Sequence, residues 1–230
     1  MSNILVESVF FGVMLSLIAY GAGVQLKKKF GLAVFNPLLV AVVIIMILLS
    51  VCHIDYDVYY EGAKYLSYLL TPATVCLAIP LYEQVEMLKG NWKAILLGIC
   101  SGVLTSLVSV LVFSLISGLS HKEYVTLLPK SITTAIGMGV SEELDGYVTI
   151  TVAVIIITGV FGNMIAETIC RVFRIEEPVA RGIAIGSSAH AIGTVKAMEM
   201  GELEGAMSSL SIAVAGLLTV AGASVFAPFI

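Results

Sequence analysis

The stretch that decides the fold runs from Gly182 to Met200 and reads GIAIGSSAHAIGTVKAMEM. It lies between two strongly apolar segments, yet it carries serine, threonine, histidine and lysine among several glycines. In a lipid environment every backbone N–H and C=O group must find a partner, so such a sequence interrupts a helix only where protein or water satisfies the freed groups. The stretch therefore predicts a broken or re-entrant helix.

The composition of the whole chain supports a membrane setting. The 230 residues are 59% hydrophobic and only 12% charged, whereas soluble domains carry about 25% charged residues. The apolar runs are long and continuous, which favours helices over a transmembrane β-barrel. A net charge of −4 without a basic stripe argues against a nucleic-acid partner, and the four cysteines show no zinc-ligand spacing.

The chain is predicted to be an all-α polytopic membrane protein with about six to eight spans. Two or three of these are expected to be broken or re-entrant helices, with internal, inverted repeats. Two short segments rich in Gly, Ser and Thr, Val125–Val140 and Val179–Met198, can either cross or return. The clear apolar segments are Ile4–Val24, Pro37–Val51, Tyr65–Tyr82, Trp92–Leu119, Tyr147–Phe173 and Ser208–Ile230.

Three stretches resemble one another and suggest a repeat. LTPATVCLAIPLYEQVEML from Leu70, LLPKSITTAIGMGVSEEL from Leu127 and IGSSAHAIGTVKAMEM from Ile185 share short matches and precede long apolar helices. Residues 1–230 are interpreted as one integral membrane domain, with two scaffold helices in 1–64 and three broken-element-plus-helix units in 65–230. Apolar sequences also match by chance, so that alternative stays open.

The positive charges predict the orientation. Lys27, Lys28 and Lys29 follow the first segment and are expected in the cytoplasm, which places the N-terminus outside. The acidic stretch after Val51 is expected to be an outside loop. If Val125–Val140 returns to its own side, eight of the 12 Lys and Arg residues lie inside, and if it crosses only six do. The rule therefore mildly favours the re-entrant form.

Lys130 and His190 are the unusual residues of the breaks. A lysine within a span costs about 2.5–3.5 kcal/mol and usually pairs or lines a pathway, although snorkelling to the surface is the alternative. His190 can contact a substrate or a coupling proton, or it can form a structural hydrogen bond. Each break also exposes a half-helix N-terminus, whose positive dipole end favours an anion.

Other residues are expected to be structural. Glu167 and Arg171 are spaced as a helix-face ion pair. Gly159 and Gly162 are spaced for close helix packing. Asn36 before Pro37 is typical of a helix cap. No nucleophile elbow, P-loop or metal motif occurs, so the chain is not expected to be an enzyme and needs no cofactor beyond a coupling proton or sodium ion.

Three quoted stretches resemble one family over nearly the whole chain. LLPKSITTAIGM, NPLLVAVV and the 35-residue block EEPVARGIAIGSSAHAIGTVKAMEMGELEGAMSSL are similar to the LrgB/CidB family of bacterial inner-membrane proteins. The family includes part of the plastid glycolate/glycerate translocator. Bacterial members are linked to pyruvate uptake, often act with a small LrgA-type partner, and carry an older antiholin-like label. One departure is Ala135, where the family often has proline.

The resemblance implies a secondary transporter of small monocarboxylates such as pyruvate, glycolate or glycerate. The expected setting is the inner membrane, as a homodimer, with an LrgA-type partner as a further expectation. The alternative is an antiholin-like protein that modulates murein hydrolases and lysis through that partner, and a holin-like pore is a third option. The breaks and the resemblance together indicate a substrate-binding set of Thr71, Thr74, Lys130, Ser131, Thr133, Thr134, Ser187, Ser188, His190, Gly193 and Thr194.

Overall fold

Helices form the regular structure of the chain. The computed structural model describes residues 10–31, 35–69, 72, 75–76, 78–83 and 85–230, and no strand occurs among them. Within these residues, Lys89–Ser117, Val148–Val172 and Glu202–Phe229 are long and apolar enough to cross a bilayer. The predicted all-α polytopic membrane fold is confirmed. The helices are α1 (Phe11–Phe30), α2 (Pro37–Val51), α3 (Tyr56–Ser67), α4 (Ala78–Glu83), α5 (Val85–Ser117), α6 (His121–Leu127), α7 (Thr134–Glu143), α8 (Val148–Val172), α9 (Pro178–Met200) and α10 (Glu202–Phe226).

The first compact unit, residues 1–76, contains α1, α2 and α3. Helix α2 has the predicted bounds, and the Asn36 side chain accepts hydrogen bonds from the backbone of its first turn as predicted. The acidic outside loop predicted after Val51 is wrong in part, because most of it forms helix α3. This helix packs on α1, where the hydroxyls of Tyr59 and Ser16 lie 2.8 Å apart. Tertiary packing thus outweighs a polar composition that reads as a loop.

The second compact unit, residues 77–230, holds α4 to α10. Helix α8 has almost the predicted bounds, whereas α5 and α10 begin several residues earlier than their apolar segments. The change from apolar to polar residues marks where α5 and α10 leave the apolar layer, and each helix continues into its polar residues. In α10 the early start is favoured by Glu202 and Glu204, which lie in the first turn near the positive end of the helix dipole.

Helices α6 and α7 form a hairpin, residues 121–143, which we call hairpin 1. A Cβ atom on Gly137 would lie 3.5 Å from the carbonyl oxygen of Pro129. Nearer the base, Thr151 Oγ1 is 2.9 Å from Thr126 O and 2.7 Å from Ser141 Oγ. Residue 129 thus lies near residue 137, and residue 126 lies near residue 141. Because these pairs run in opposite directions along the chain, the chain turns back between α6 and α7. The tip is the loop at residues 128–133.

Helix α9 also folds back on itself, and we call residues 178–200 hairpin 2. His190 has φ 41° and ψ −143°, which breaks the helix into a first arm before it and a second arm after it. Ile185 and Ala197 share one apolar cluster, and Arg181 and Glu199 line one cavity. A straight helix of 23 residues would separate its ends by about 34 Å. The two arms therefore lie side by side, with His190 at the tip.

The two hairpins meet α8 at opposite ends. At the start of α8, the Tyr147 N–H donates a 2.8 Å hydrogen bond to Thr126 Oγ1 at the base of hairpin 1. Near its other end, Glu167 pairs at 3.1 Å with Lys196 at the base of hairpin 2. Tyr147 and Glu167 are 20 positions apart, so the two bases are separated by about 30 Å along α8.

Helix α10 connects the same two ends. Near its start, Glu204 lies 3.8 Å from Arg181 at the base of hairpin 2. At its other end, the Tyr124 hydroxyl of hairpin 1 donates a 3.0 Å hydrogen bond to Phe226 O. Hairpin 1 followed by α8, and hairpin 2 followed by α10, therefore have opposite orientations. Both segments whose path was open in the sequence, Val125–Val140 and Val179–Met198, therefore fold back as hairpins.

The remaining predicted unit, which begins at Leu70 and is the first of the three along the chain, lies partly outside the described residues. Thr71 and Thr74 are among those outside. The single domain of three units therefore stays a prediction.

Candidate functional site

A cavity of about 430 Å³ lies where the two hairpin tips approach the middle of α8. Hairpin 1 contributes Lys130 to its lining, the first arm of hairpin 2 contributes Ser188 and Ala189, and α8 contributes Thr158. Lys130 and Ser188 lie 58 positions apart in sequence, yet the opposed insertion of the hairpins brings them to one cavity. We call this the tip cavity.

Lys130 is half-buried and has no acidic partner in the part of the chain that the structure describes. Its Nζ donates a 2.9 Å hydrogen bond to Ser131 Oγ. Ser131 Oγ in turn lies 3.1 Å from Ser106 Oγ on α5. This chain of hydroxyls holds the lysine in place but supplies no negative charge. The positive charge beside the tip cavity is therefore uncompensated among the described groups.

Two hydroxyl groups accompany the lysine in the lining. Ser188 Oγ donates to Ala184 O at 2.6 Å, which leaves its oxygen able to accept a further bond. No hydrogen bond to the Thr158 hydroxyl occurs among the described residues. The rest of the lining is apolar, with isoleucines of α8 and hairpin 2 prominent in it. The cavity thus combines one cation and two hydroxyls with an aliphatic wall.

His190 faces the protein interior. Its side chain is 2% exposed, and Nε2 lies 3.0 Å from the carbonyl oxygen of Ile155 on α8. The ring packs so closely on Gly159 that a Cβ atom there would lie 2.6 Å from His190 Cε1. Gly162 faces Ala189 in the same way. The predicted close packing at Gly159 and Gly162 is present, and the geometry favours the structural role that the sequence left open for His190.

The break at His190 is stabilised by hydrogen bonds from three directions. Thr194 Oγ1 donates to His190 O at 3.0 Å and lies 2.7 Å from Ser208 Oγ on α10. Asn163 of α8 donates from Nδ2 to Ile192 O at 2.8 Å. Buried carbonyl groups near a helix break are costly unless they are paired. These side chains therefore hold the tip of hairpin 2.

The remaining predicted residues lie around the tip cavity without lining it. Thr133 and Thr134 begin α7 and are half-buried. Gly193 is buried against Ala189 and Ile185 within hairpin 2. Ser187 lines a different cavity, about 570 Å³ between α5 and the first arm. Among the described residues, Glu177 lines that cavity and no lysine, arginine or histidine does, so its charge does not favour an anion.

A third cavity, about 480 Å³, lies at the base of hairpin 2 and is highly charged. Glu167 there pairs with both Lys196, at 3.1 Å, and Arg171, at 3.2 Å. The predicted pair of Glu167 and Arg171 is confirmed. Arg171 and Lys196 thus have acidic partners, unlike Lys130. Of these three cavities, the tip cavity is the one whose described lining holds a basic residue and no acidic residue.

Sequence reasoning missed Ser106, Thr158, Asn163 and Ser208. Asn163 is an amide within an apolar helix, and that unusual setting is the signal that could have marked it. The others are hydroxyl residues in apolar helices, and such residues are too common to single out without knowledge of the packing.

Comparison with known proteins agrees with the resemblance. The family model described as LrgB-like family matches residues 16–229. The chain belongs to the LrgB-like family. Among curated relatives of this LrgB-like protein, antiholin-like protein LrgB of Bacillus mycoides (strain KBAB4) is 39% identical over 222 residues, 96% of each chain. Proteins of the same name from Bacillus cereus (strain B4264) and Bacillus anthracis (strain CDC 684 / NRRL 3495) are each 38% identical over the same shares. No solved structure matches.

Proposed function

We propose that this LrgB-like protein is a secondary transporter of small monocarboxylates, such as pyruvate, glycolate and glycerate. The observation that carries the proposal is Lys130, a cation without an acidic partner among the described residues, in a cavity between two oppositely inserted hairpins. Paired interrupted helices of opposite orientation are typical of carriers that bind substrate near the middle of the membrane.

The chemistry of the tip cavity suits one carboxylate. An unpaired lysine in an apolar setting is unfavourable, and a bound carboxylate relieves that cost. Ser188 and Thr158 offer hydroxyls to the 2-oxo or 2-hydroxy oxygen beside the carboxylate. Ser131 and Ser106 orient the lysine. The N-terminus of α7 at Thr133 adds a positive dipole end near the same hairpin tip.

In this account, transport proceeds by movement of the hairpins against α5, α8 and α10, which opens the tip cavity to one side at a time. Coupling to a proton or a sodium ion is part of the proposal. So is the assembly of a homodimer through the scaffold helices, with or without a small LrgA-type partner.

The charges of the second unit support an orientation in the inner membrane. The end that carries the base of hairpin 2 holds Arg171, Arg174, Arg181 and Lys196, whereas the base of hairpin 1 holds Lys122. By the positive-inside rule the base of hairpin 2 faces the cytoplasm. We further propose that the N-terminus lies outside, on the charges of residues 27–29.

The experiment that tests the proposal is uptake of labelled pyruvate and glycolate into proteoliposomes under a proton or sodium gradient. We expect saturable uptake by the wild type and at least tenfold slower uptake by Lys130→Gln. Lys122→Gln, an exposed lysine at the base of the same hairpin, serves as the matched control and should match the wild type. Absence of uptake by the wild type under either gradient would reject the proposal.

The names of the relatives favour a second candidate, an antiholin-like protein that modulates murein hydrolases through a membrane partner. On that account, loss of the gene changes autolysis, and Lys130→Gln restores it as well as the wild type does because no cavity charge is involved. A third candidate, a holin-like pore, predicts leakage of a trapped dye that does not saturate. Autolysis that depends on Lys130 would favour transport over both.

A further inference from the structure

The aliphatic wall of the tip cavity indicates which substrate tails the site favours. We infer that the site binds monocarboxylates of four to six carbons with aliphatic tails more tightly than it binds pyruvate. This inference rests on the proposed function and extends it from a charge requirement to a tail preference.

The size of the tip cavity exceeds what a three-carbon acid needs. Its volume is about 430 Å³, whereas a water molecule takes about 30 Å³. Pyruvate has six non-hydrogen atoms and so fills only a minor part of such a space. Ligand pockets of about 300–1,000 Å³ usually hold larger molecules. A longer tail can therefore be accommodated without enlarging the cavity.

The polar and apolar groups of the cavity are segregated. Lys130, Thr158 and Ser188 are its hydrophilic members, and the remaining lining is dominated by aliphatic and aromatic groups that include Phe161, Ile165 and Ile169. A carboxylate held at Lys130 would direct its tail along these side chains. A second carboxylate on the tail would lie against these apolar groups without a cation, because Lys130 is the one basic residue among the described residues of the lining. The site therefore selects monoanions with apolar tails.

The expected gain follows from the hydrophobic effect. Burying one methylene group favours binding by about a factor of four. The inhibition constant against labelled pyruvate uptake should therefore fall about fourfold for each added carbon, from pyruvate through 2-oxobutanoate to 4-methyl-2-oxopentanoate. 2-Oxosuccinate should inhibit more weakly than pyruvate. Equal constants across the series, or constants that rise with tail length, would overturn the inference.

Substitutions in the wall separate the site from non-specific partitioning into lipid. Ile165→Trp fills the cavity, and Ile165→Thr makes its wall polar without adding volume. In both variants, unlabelled pyruvate should still inhibit uptake of labelled pyruvate. Most of the fall in the inhibition constant with tail length should be lost. Ile156→Trp, on the same helix but outside the lining, is the matched control and should keep the full gain. A gain that persists in both Ile165 variants contradicts the assigned wall.

Direct binding separates this inference from the proposed function. Titration calorimetry of the protein in nanodiscs measures affinity for the same acids without requiring transport. Binding that tightens with tail length and is lost in Lys130→Gln supports the tail preference even if no uptake occurs. In that case only the proposal of transport is rejected. Uptake of pyruvate with no tail dependence leaves transport intact and rejects the inference.

Discussion

At the scale of single residues, His190 combines a strained backbone with a buried hydrogen bond. Its φ of 41° is costly for a residue with a side chain, and its ring is held by Ile155 O. His190→Gly removes both the strain and the ring, whereas His190→Ala removes only the ring. We expect both to melt below the wild type in nanodiscs, with the glycine variant about 1 kcal/mol more stable than the alanine variant. An alanine variant as stable as the glycine variant would contradict the assigned backbone.

Gly159 tests the contact between α8 and the tip of hairpin 2. A Cβ atom there would meet the buried His190 ring at 2.6 Å. Gly159→Ala should lower stability by about 1–3 kcal/mol, since a buried ring has little room to move. Gly139 of α7 faces open space. Gly139→Ala should therefore be neutral or stabilise by up to about 1 kcal/mol. Equal melting temperatures for the two variants would argue against this packing.

At the base of hairpin 1 the charge state of one residue affects a helix cap. Ser120 donates hydrogen bonds from its hydroxyl and its backbone N–H to Glu123, which lower the pKa of that carboxyl. A lowered pKa means that the cap is complete above the usual Glu pKa and is lost as pH falls through the lowered value. Ser120→Ala should move the Glu123 pKa upward in an NMR titration. An unchanged titration curve would contradict the capping box.

At the scale of elements, one threonine joins the base of hairpin 1 to α8. Thr151 is fully buried and contacts both Thr126 and Ser141. Thr151→Val keeps the shape of the side chain but removes a hydrogen-bond partner from Thr126 O and Ser141 Oγ. It should therefore lower the free energy of unfolding by about 1–3 kcal/mol. Thr149→Val, at an exposed position two residues earlier, should change stability by less than about 0.5 kcal/mol. The comparison is read from thermal melts.

The sequence predicts that the chain breaks near Pro129 and His190 but not how the breaks are used. Proline, glycine and hydroxyl residues mark positions where a helix stops, because they remove or redirect backbone hydrogen bonds. Whether the chain then returns depends on contacts between residues far apart, such as Thr126 with Thr151. Lys130 stood out because a charge in an apolar segment is rare. Thr158 and Ser106 did not, because their relevance comes only from the opposed hairpins.

At the scale of the whole molecule, the proposed function depends on how the second unit is arranged. Two hairpins approach from opposite ends of α8, and their tips place Lys130 and Ser188 on one cavity. Neither hairpin alone forms a site with a cation, two hydroxyls and an apolar wall. Both the transport proposal and the tail preference therefore depend on the opposed, re-entrant insertion of the hairpins.

The side of the membrane from which single cysteines are labelled tests this opposed insertion. In a background without the four native cysteines, single cysteines replace Lys122 or Glu143 at the base of hairpin 1, and Glu176 or Glu199 at the base of hairpin 2. A membrane-impermeant maleimide is applied to intact cells and to inverted vesicles. We expect the cysteines at positions 122 and 143 to be labelled from one side of the membrane only. Those at positions 176 and 199 should be labelled only from the other side. Labelling of Lys122 and Glu143, or of Glu176 and Glu199, from opposite sides would show a crossing segment and contradict it.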